Sequence, residues 1–485
     1  MIAPLVLETA VLFLGICLLL FEAFVPTPTR KGFAWLGIAG LSVVLILSFF
    51  TKTSVDYGGF YVADGLGLFF KQLILVTTII VLIMSVEYAP IIRRLVPAEK
   101  PGAGLGEFYA LPVFTCAGLM WMSSAADFIM IFVSLELVTI SFYVLVSYLR
   151  RSRPSLEAGT KYLILGALST GILVYGITWV FGVTGETNLA AIGQAAAEVG
   201  EKNQMALLFG IVLVLIGLGF KIAAAPFQFW VADVYQGAPT PITAFLSVGS
   251  KAAGFIVLIR FLTVILPLEV VGGKVTLGLS ILAFCTLIYG NFAALPQTNL
   301  KRLLGYSSIA HAGYLLMAVV ALSQFPAVAI QAISFYLAGY LAMTLLSFLI
   351  LIVASNHLEG DDISHFNGLG QRSPFLAFSM LVAMMSLAGV PLTAGFFGKF
   401  MIFKVALEAH LYWLVAIGVI SVGCGFYYYL KVVKAMYWHA ANPDPTTGAV
   451  TFAISPLARA TIYASIAAVF ILGIYPAPIL HLLAK

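Results

Sequence analysis

Continuous apolar runs recur along the whole chain, each long enough to cross a bilayer as a helix. They do not alternate apolar with polar as half-buried strands do, and their length rules out buried strands, so they predict helices. A helix-length window gives about fourteen spans, approximately at 4–24, 32–50, 63–88, 107–123, 125–148, 156–182, 205–235, 242–266, 275–294, 300–322, 326–354, 374–407, 411–437 and 457–481. The fourth and fifth meet near Ser124 with little polar sequence between them. Pro26-Thr27-Pro28, Pro97 to Gly106, Gly185 to Asn203 and Asn442 to Gly448 read as loops. The expected fold class is an all-α polytopic membrane protein of about 14 transmembrane helices.

Two spans depart from this pattern. In "GLGFKIAAAPFQFW" (217–230), Lys221 and Pro226 interrupt the seventh span, which is about thirty residues long. In "SLAGVPLTAGFFGKF" (386–400), Gly389, Pro391, Gly395 and Gly398 precede Lys399 in an equally long twelfth span. Each predicts two half-helices with an unwound joint, which at membrane depth must be buried in protein or line a cavity. The two breaks lie five spans apart, so those helices cross in opposite directions. That spacing predicts two inverted five-helix repeats, spans 4–8 and 9–13, with broken helices 7 and 12. The organisation expected is a three-helix N-terminal segment (1–104), a first repeat (105–268), a second inverted repeat (269–440), and a C-terminal loop with helix 14 (441–485).

Composition agrees. The 485 residues are 62% hydrophobic and 9% charged, with a mean hydropathy of +1.07, where soluble domains are about 25% charged. The partner this implies is the lipid bilayer; a net charge of +5 gives no reason to propose nucleic acid. The first run, Leu5 to Phe21, has no basic segment before it and reads as a first span, not a cleaved signal. Lysine and arginine concentrate in the odd-numbered loops, fourteen against four in the even loops and C-terminus, which places the odd loops in the cytoplasm and both termini outside. Cys17, Cys116, Cys285 and Cys424 lie far apart without iron–sulfur spacing, and six histidines form no close pair on one span. No glycine-rich nucleotide fingerprint is present. Any redox or nucleotide cofactor is expected on another chain.

Seven basic residues remain within spans: Lys71, Lys161, Lys221, Lys251, Arg260, Lys399 and Lys404. A basic side chain near a helix centre costs roughly 2.5–3.5 kcal/mol even on the lenient insertion scale. Lys71, Arg260 and Lys404 lie close enough to a span end to snorkel or fill a polar gap. Lys161 stands about one turn from the cytoplasmic end of its span. Glu136, Lys251 and His311 are each about ten residues from both ends, roughly 15 Å deep. A lysine in hydrocarbon holds its proton less firmly than in water, and a nearby carboxylate restores that hold. A carboxylate that moves relative to a lysine therefore loads and releases a proton. Glu136 beside Lys221, continued by Lys251, His311 and Lys399, describes a proton path through the middle of the bundle.

At these residues the chain resembles the antiporter-like subunits of proton-pumping NADH:quinone oxidoreductase, respiratory complex I, which are related to multi-subunit cation/proton antiporters. The matching stretches are "SLELVTISFYVLVSY" (134–148), "EAGTKYLILGALSTG" (157–171), "GFKIAAAPFQFWVADVYQGAPTPITAFLSVGSKAAGF" (219–255), "NLKRLLGYSSIAHAGY" (299–314) and "SLAGVPLTAGFFGKF" (386–400). The resemblance implies proton-transfer roles for Glu136, Lys221, Lys251, Lys399, His311 and Lys161, with helix breaks at Pro226 and Pro391. A lysine at 399 fits the N branch of that family, since the M branch carries a glutamate there. The resemblance also implies proton translocation driven by quinone reduction elsewhere, no cofactor on this chain, and NADH, FMN, iron–sulfur clusters and quinone on partner subunits. The implied partners are the other membrane subunits of the complex, including its other antiporter-like subunits, in the inner (plasma) membrane of a bacterial cell. The rival reading is a subunit of a multi-subunit sodium/proton antiporter without redox driving.

Overall fold

A computed structural model describes residues 3–24, 31–53, 55–96, 105–358, 360–440 and 452–483. The N-terminal segment holds α1 (Leu5–Phe24), α2 (Lys31–Ser48) and α3 (Gly65–Leu95). Between α2 and α3, strands β1 (Val55–Tyr57) and β2 (Tyr61–Ala63) pair antiparallel as a small hairpin outside the all-helical expectation. Then come α4 (Leu105–Ser124), α5 (Phe128–Val146), α6 (Arg153–Thr184), α7 (Leu189–Ala197), α8 (Glu201–Ile222), α9 (Val231–Gly237), α10 (Thr240–Phe245) and α11 (Lys251–Ile265). The next group is α12 (Gly272–Ala294), α13 (Leu300–Val320), α14 (Pro326–Ser355), α15 (Leu369–Arg372), α16 (Pro374–Ala388), α17 (Ala394–Glu408) and α18 (Tyr412–Trp438). The chain closes with α19 (Pro456–Ile474) and α20 (Ala477–Leu483).

Among the described residues, 12 helices are long and apolar enough to cross a membrane. Gly32–Ser48 and Pro374–Ala388 are shorter apolar helices, the second continued by α17. All fourteen expected spans therefore have a counterpart, and the protein is an all-α polytopic membrane protein. Several boundaries differ. The third span runs on through Pro90 to Leu95, and the last divides at Tyr475 into α19 and α20. The stretch from Gly185 to Asn203, expected as loop, contains α7 and the first turn of α8. Asn188 caps α7 by accepting from Ala191 N at 3.1 Å, and Leu189, Ile192 and Ala196 are buried. Nine residues are too few to register in a window tuned to bilayer width. The expected loops at Pro26-Thr27-Pro28 and Asn442 to Gly448, and most of Pro97 to Gly106, lie outside the described residues.

Helix ends in hydrocarbon need partners for their free backbone groups. Asp64, Asp127 and Asn299 supply them at the starts of α3, α5 and α13, accepting from Gly67 N (2.7 Å), Ile129 N (2.7 Å) and Arg302 N (3.1 Å). The division near Ser124 is real: Ala125 and Asp127 leave the helix and bridge to Tyr61 and Asn188.

The two interrupted spans break in the same way. At the end of α8, Ala223 is left-handed (φ 65°), and Ala224 N reaches back to Gly219 O at 2.8 Å. At the end of α16, Gly389 is left-handed (φ 92°), and Val390 N reaches back to Met385 O at 3.0 Å. Both are Schellman-type endings, in which the chain turns out of the helix while satisfying one inner carbonyl. The second half-helices, α9 and α17, begin after these joints. α17 approaches closely because Gly395 lacks a Cβ; one added there would collide with the Ser386 carbonyl of α16. The centre of the bundle is the least exposed part. Every residue from Thr240 to Ile259 is buried, as is all of α13 except Arg302.

Candidate proton pathway

Of the six expected proton-transfer residues four are buried, Glu136 is half-buried and Lys161 is an outlier. Lys221, Lys251, His311 and Lys399 are 6, 2, 1 and 5% exposed, a depth at which each needs a polar partner. Each has one.

Lys221 sits in the last turn of α8, immediately before the break, and its Nζ donates to Thr139 Oγ1 on α5. Glu136 lies one turn earlier on α5 and is only half-buried; its Oε1 accepts from Thr170 Oγ1 at 3.0 Å. The expected direct pairing of Glu136 with Lys221 is thus replaced by two threonine contacts. Glu136 and Thr139 share one face of α5, since residues three apart on a helix are neighbours. α11 packs tightly on this place: a Cβ added at Gly254 would stand 2.8 Å from Ile222 Cγ2.

Lys251 follows a π turn at Leu246–Ser250 that joins α10 to α11. Single π turns inside helices shift the side chains that follow and recur at functional sites. Lys251 Nζ donates to the Ser308 carbonyl and, at 2.5 Å, to Ser308 Oγ on α13. Its charge also faces the Tyr340 ring, 5.4 Å from the centroid. The Ser308 hydroxyl is shared with the Tyr235 hydroxyl on α9 at 3.1 Å, and Ser247 with Tyr340 at 2.9 Å.

His311, one turn along α13 from Ser308, stands between two phenols. Its Nδ1 is 2.5 Å from the Tyr336 hydroxyl, and its Nε2 is 3.1 Å from that of Tyr429, which also bonds Ser307. Beyond it Tyr314 stacks edgewise on the imidazole, with centroids 6.2 Å apart, and Lys399 Nζ stands 5.1 Å from the Tyr314 centroid. Lys399 reaches back across the second break and donates to Leu387 O (2.9 Å) and Ala388 O (2.8 Å), the last carbonyls of α16. A cation there also meets the negative end of the helix dipole. The breaks therefore use their lysines differently. At the first, the Phe220 carbonyl accepts from Ala223 N at 3.2 Å and from Trp230 Nε1 at 3.1 Å, leaving Lys221 to face α5; at the second, the lysine itself closes the helix end.

Pro226 and Pro391 both lie in the unwound joints, Pro226 after a cis peptide bond. Lys161 is elsewhere. It is 41% exposed and pairs with Glu157 at 2.6 Å and with Asp233 at 2.7 Å; Asp233 also binds Arg302 at 2.6 Å. Asp233 ties α6 and α13 to the second half-helix α9. Sequence reasoning passed over it, although an acidic residue two positions before Tyr235 and four before Gly237 was visible. Serines and tyrosines are expected to complete such a relay, but the sequence does not single out Tyr235, Tyr336, Tyr340, Tyr429, Thr139 or Ser308, which bond the charged groups or one another. Their signal is polar atoms on spans that are otherwise apolar on every face.

Lys71 and Arg260 do not snorkel. Lys71 is 2% exposed and pairs with Glu8 at 2.7 Å, while Arg260 forks onto Asp64 at 2.7 and 3.0 Å. The hairpin and α1 cover the span ends that sequence alone presents as open to water. Lys404, paired with Glu408 at 3.9 Å, is 59% exposed, as a span-end lysine should be.

A helical bundle with two Schellman-broken helices, a lysine at each break and buried phenols and imidazole between them defines an antiporter-like membrane protein. The comparisons place it further: residues 125–425 match the transmembrane family described as NADH:quinone oxidoreductase/Mrp antiporter, and the chain belongs to that family. It is 38% identical to NADH-quinone oxidoreductase subunit N of Desulforamulus reducens, over 97% of this chain and 95% of the relative. It is 40% identical to the protein of that name from Trichlorobacter lovleyi, over 98% and 94% of the two chains. Among solved structures, a chain of respiratory complex I from Thermus thermophilus with bound aureothin superposes with a TM-score of 0.80 at 30% identity, covering 98% of each chain.

Proposed function

We propose that this chain carries protons across the membrane as the subunit N of an NADH:quinone oxidoreductase, driven by quinone reduction on other subunits. The observation that carries the reading is the row itself: Lys221 on Thr139, Lys251 on Ser308, His311 between Tyr336 and Tyr429, and Lys399 beside Tyr314, with Glu136 one turn from Thr139 on α5. Buried lysines between broken helices are costly for packing alone and suited to proton relay. In this reading Lys221 and Glu136 load the first half, Lys251 and His311 connect the halves, and Lys399 releases. Lys161, held with Asp233 and Arg302, sits at the entrance. Residues 105–268 and 269–440 form the two inverted units. Both termini face outward in a bacterial plasma membrane, and NADH, FMN, iron–sulfur clusters and quinone are held by partner subunits.

The rival is sodium/proton exchange without redox driving. Inverted membrane vesicles containing the assembled complex separate the two. NADH is expected to start dye-reported acidification, a quinone-site inhibitor to stop it, and a sodium pulse without NADH to produce none. Sodium-driven proton movement in the absence of NADH and the redox subunits would overturn the proposal.

A further inference from the structure

Three side chains outside the family-matched region form a closed polar ring. Glu8 is in the first turn of α1, Lys71 in the second turn of α3, and Tyr61 on β2. Lys71 Nζ donates to Glu8 Oε1 and to the Tyr61 hydroxyl, each at 2.7 Å; that hydroxyl donates to the same Oε1 at 2.9 Å. Lys71 also faces the Tyr61 ring, 4.7 Å from its centroid. All three residues are at most 3% exposed. The other carboxylate oxygen, Glu8 Oε2, is buried and has no hydrogen-bond partner among the described residues. The hydroxyl of Ser124, next to the Ala125 that bridges to Tyr61, is buried beside the Tyr61 hydroxyl.

Packing does not account for this arrangement. A buried ion pair stabilises a fold no better than apolar side chains of the same volume, and a buried polar atom without a partner costs about 1–3 kcal/mol. An open carboxylate oxygen at the end of a three-membered hydrogen-bonded chain is, however, a place for a proton to arrive.

We propose that Glu8, Tyr61 and Lys71 form a second proton-exchange site, separate from the central row, which accepts a proton at Glu8 Oε2. Two balanced steps are available to it. A proton binding Oε2 converts the carboxylate to the acid while Lys71 keeps its own, and the site gains one positive charge until a proton leaves. Alternatively, the ammonium of Lys71 passes a proton to the Tyr61 oxygen as Tyr61 passes its own to Glu8, leaving a neutral amine and a neutral acid with net charge unchanged. The charged and titratable groups facing the ring are Tyr57 of β1, whose phenol lies 5.6 Å from that of Tyr61 between centroids, Asp64 of the α3 cap, Arg260 of α11 and Cys116 of α4. Arg260 bonds Asp64 and also donates to Ser123 O at 3.0 and 2.9 Å. A change of charge at Lys71 is therefore felt by α11, the helix that begins at Lys251.

The inference rests on the proton-carrying reading above, and its test keeps the two apart. Glu8→Gln, Lys71→Met, the double variant and Lys221→Met are each introduced into the whole complex. Complex abundance and NADH-driven acidification are then measured in inverted vesicles. The single variants strand one buried charge and are expected to lower abundance. The double variant strands none, so abundance is expected to recover to near the parent level while acidification per complex stays about tenfold low. Full acidification in the double variant, or its failure to accumulate, assigns the three residues to holding α1 on α3 and overturns the second site. If Lys221→Met leaves acidification intact, the central row fails as well, and that outcome is read independently.

Discussion

Replacing Lys221 with methionine is expected to leave the complex assembled and to lower NADH-driven acidification per complex about tenfold, equivalent to about 1.4 kcal/mol of barrier. Methionine keeps most of the volume and removes the ammonium from a site 6% exposed. Nothing polar is left stranded, because Thr139 Oγ1 already donates to Leu135 O at 2.6 Å. The desolvation cost of a buried cation disappears with it, so stability is preserved or raised. Quantifying the assembled complex by native gel beside the acidification rate checks both halves. A lysine that merely fixed packing would give the opposite: fewer complexes, each with normal activity.

Lys399→Met is expected to be more damaging to the fold as well as to transport. Lys399 is the donor to Leu387 O and Ala388 O at the end of α16. Losing it leaves two buried carbonyls unpaired at about 1–3 kcal/mol each, beside a joint already held by a left-handed Gly389. Complex abundance should therefore drop for Lys399→Met and not for Lys221→Met, while acidification per surviving complex falls for both. Equal abundance of the two variants would show that the second break does not depend on its lysine. The contrast comes from one difference in geometry: the first lysine precedes its break and faces another helix, and the second follows its break and closes it.

The architecture was legible because hydrocarbon imposes strong rules on sequence. Bilayer width fixes helix length, so the spans could be counted, and a lysine beside a proline or glycine cluster at mid-depth could only be a broken helix. Lys221, Lys251, His311 and Lys399 stood out for the same reason. What escaped was lateral information. Glu136 is as far from its helix ends as Lys251, yet it is half-exposed, because distance along a helix does not say which face meets a neighbour. Lys221 bonds Thr139 and Glu136 bonds Thr170, relations that spacing on separate helices does not contain. The π turn before Lys251 has no residue signature in "LSVGSKAAGF". Lys71 seemed free to snorkel because nothing in a hydropathy profile reveals the hairpin and α1 that close over it, or the carboxylate of Glu8 waiting there.

Hydration is the property on which transport depends. A proton crosses the stretches between Lys221, Lys251 and Lys399 only where hydroxyls and water join them. The most direct measurement is an experimental density map of the assembled complex, at a resolution that shows ordered water. Waters bridging Glu136 to Lys221, Lys221 to Lys251, and His311 to Lys399 are the predicted result. Dry aliphatic packing between any of these groups would contradict proton passage along the row.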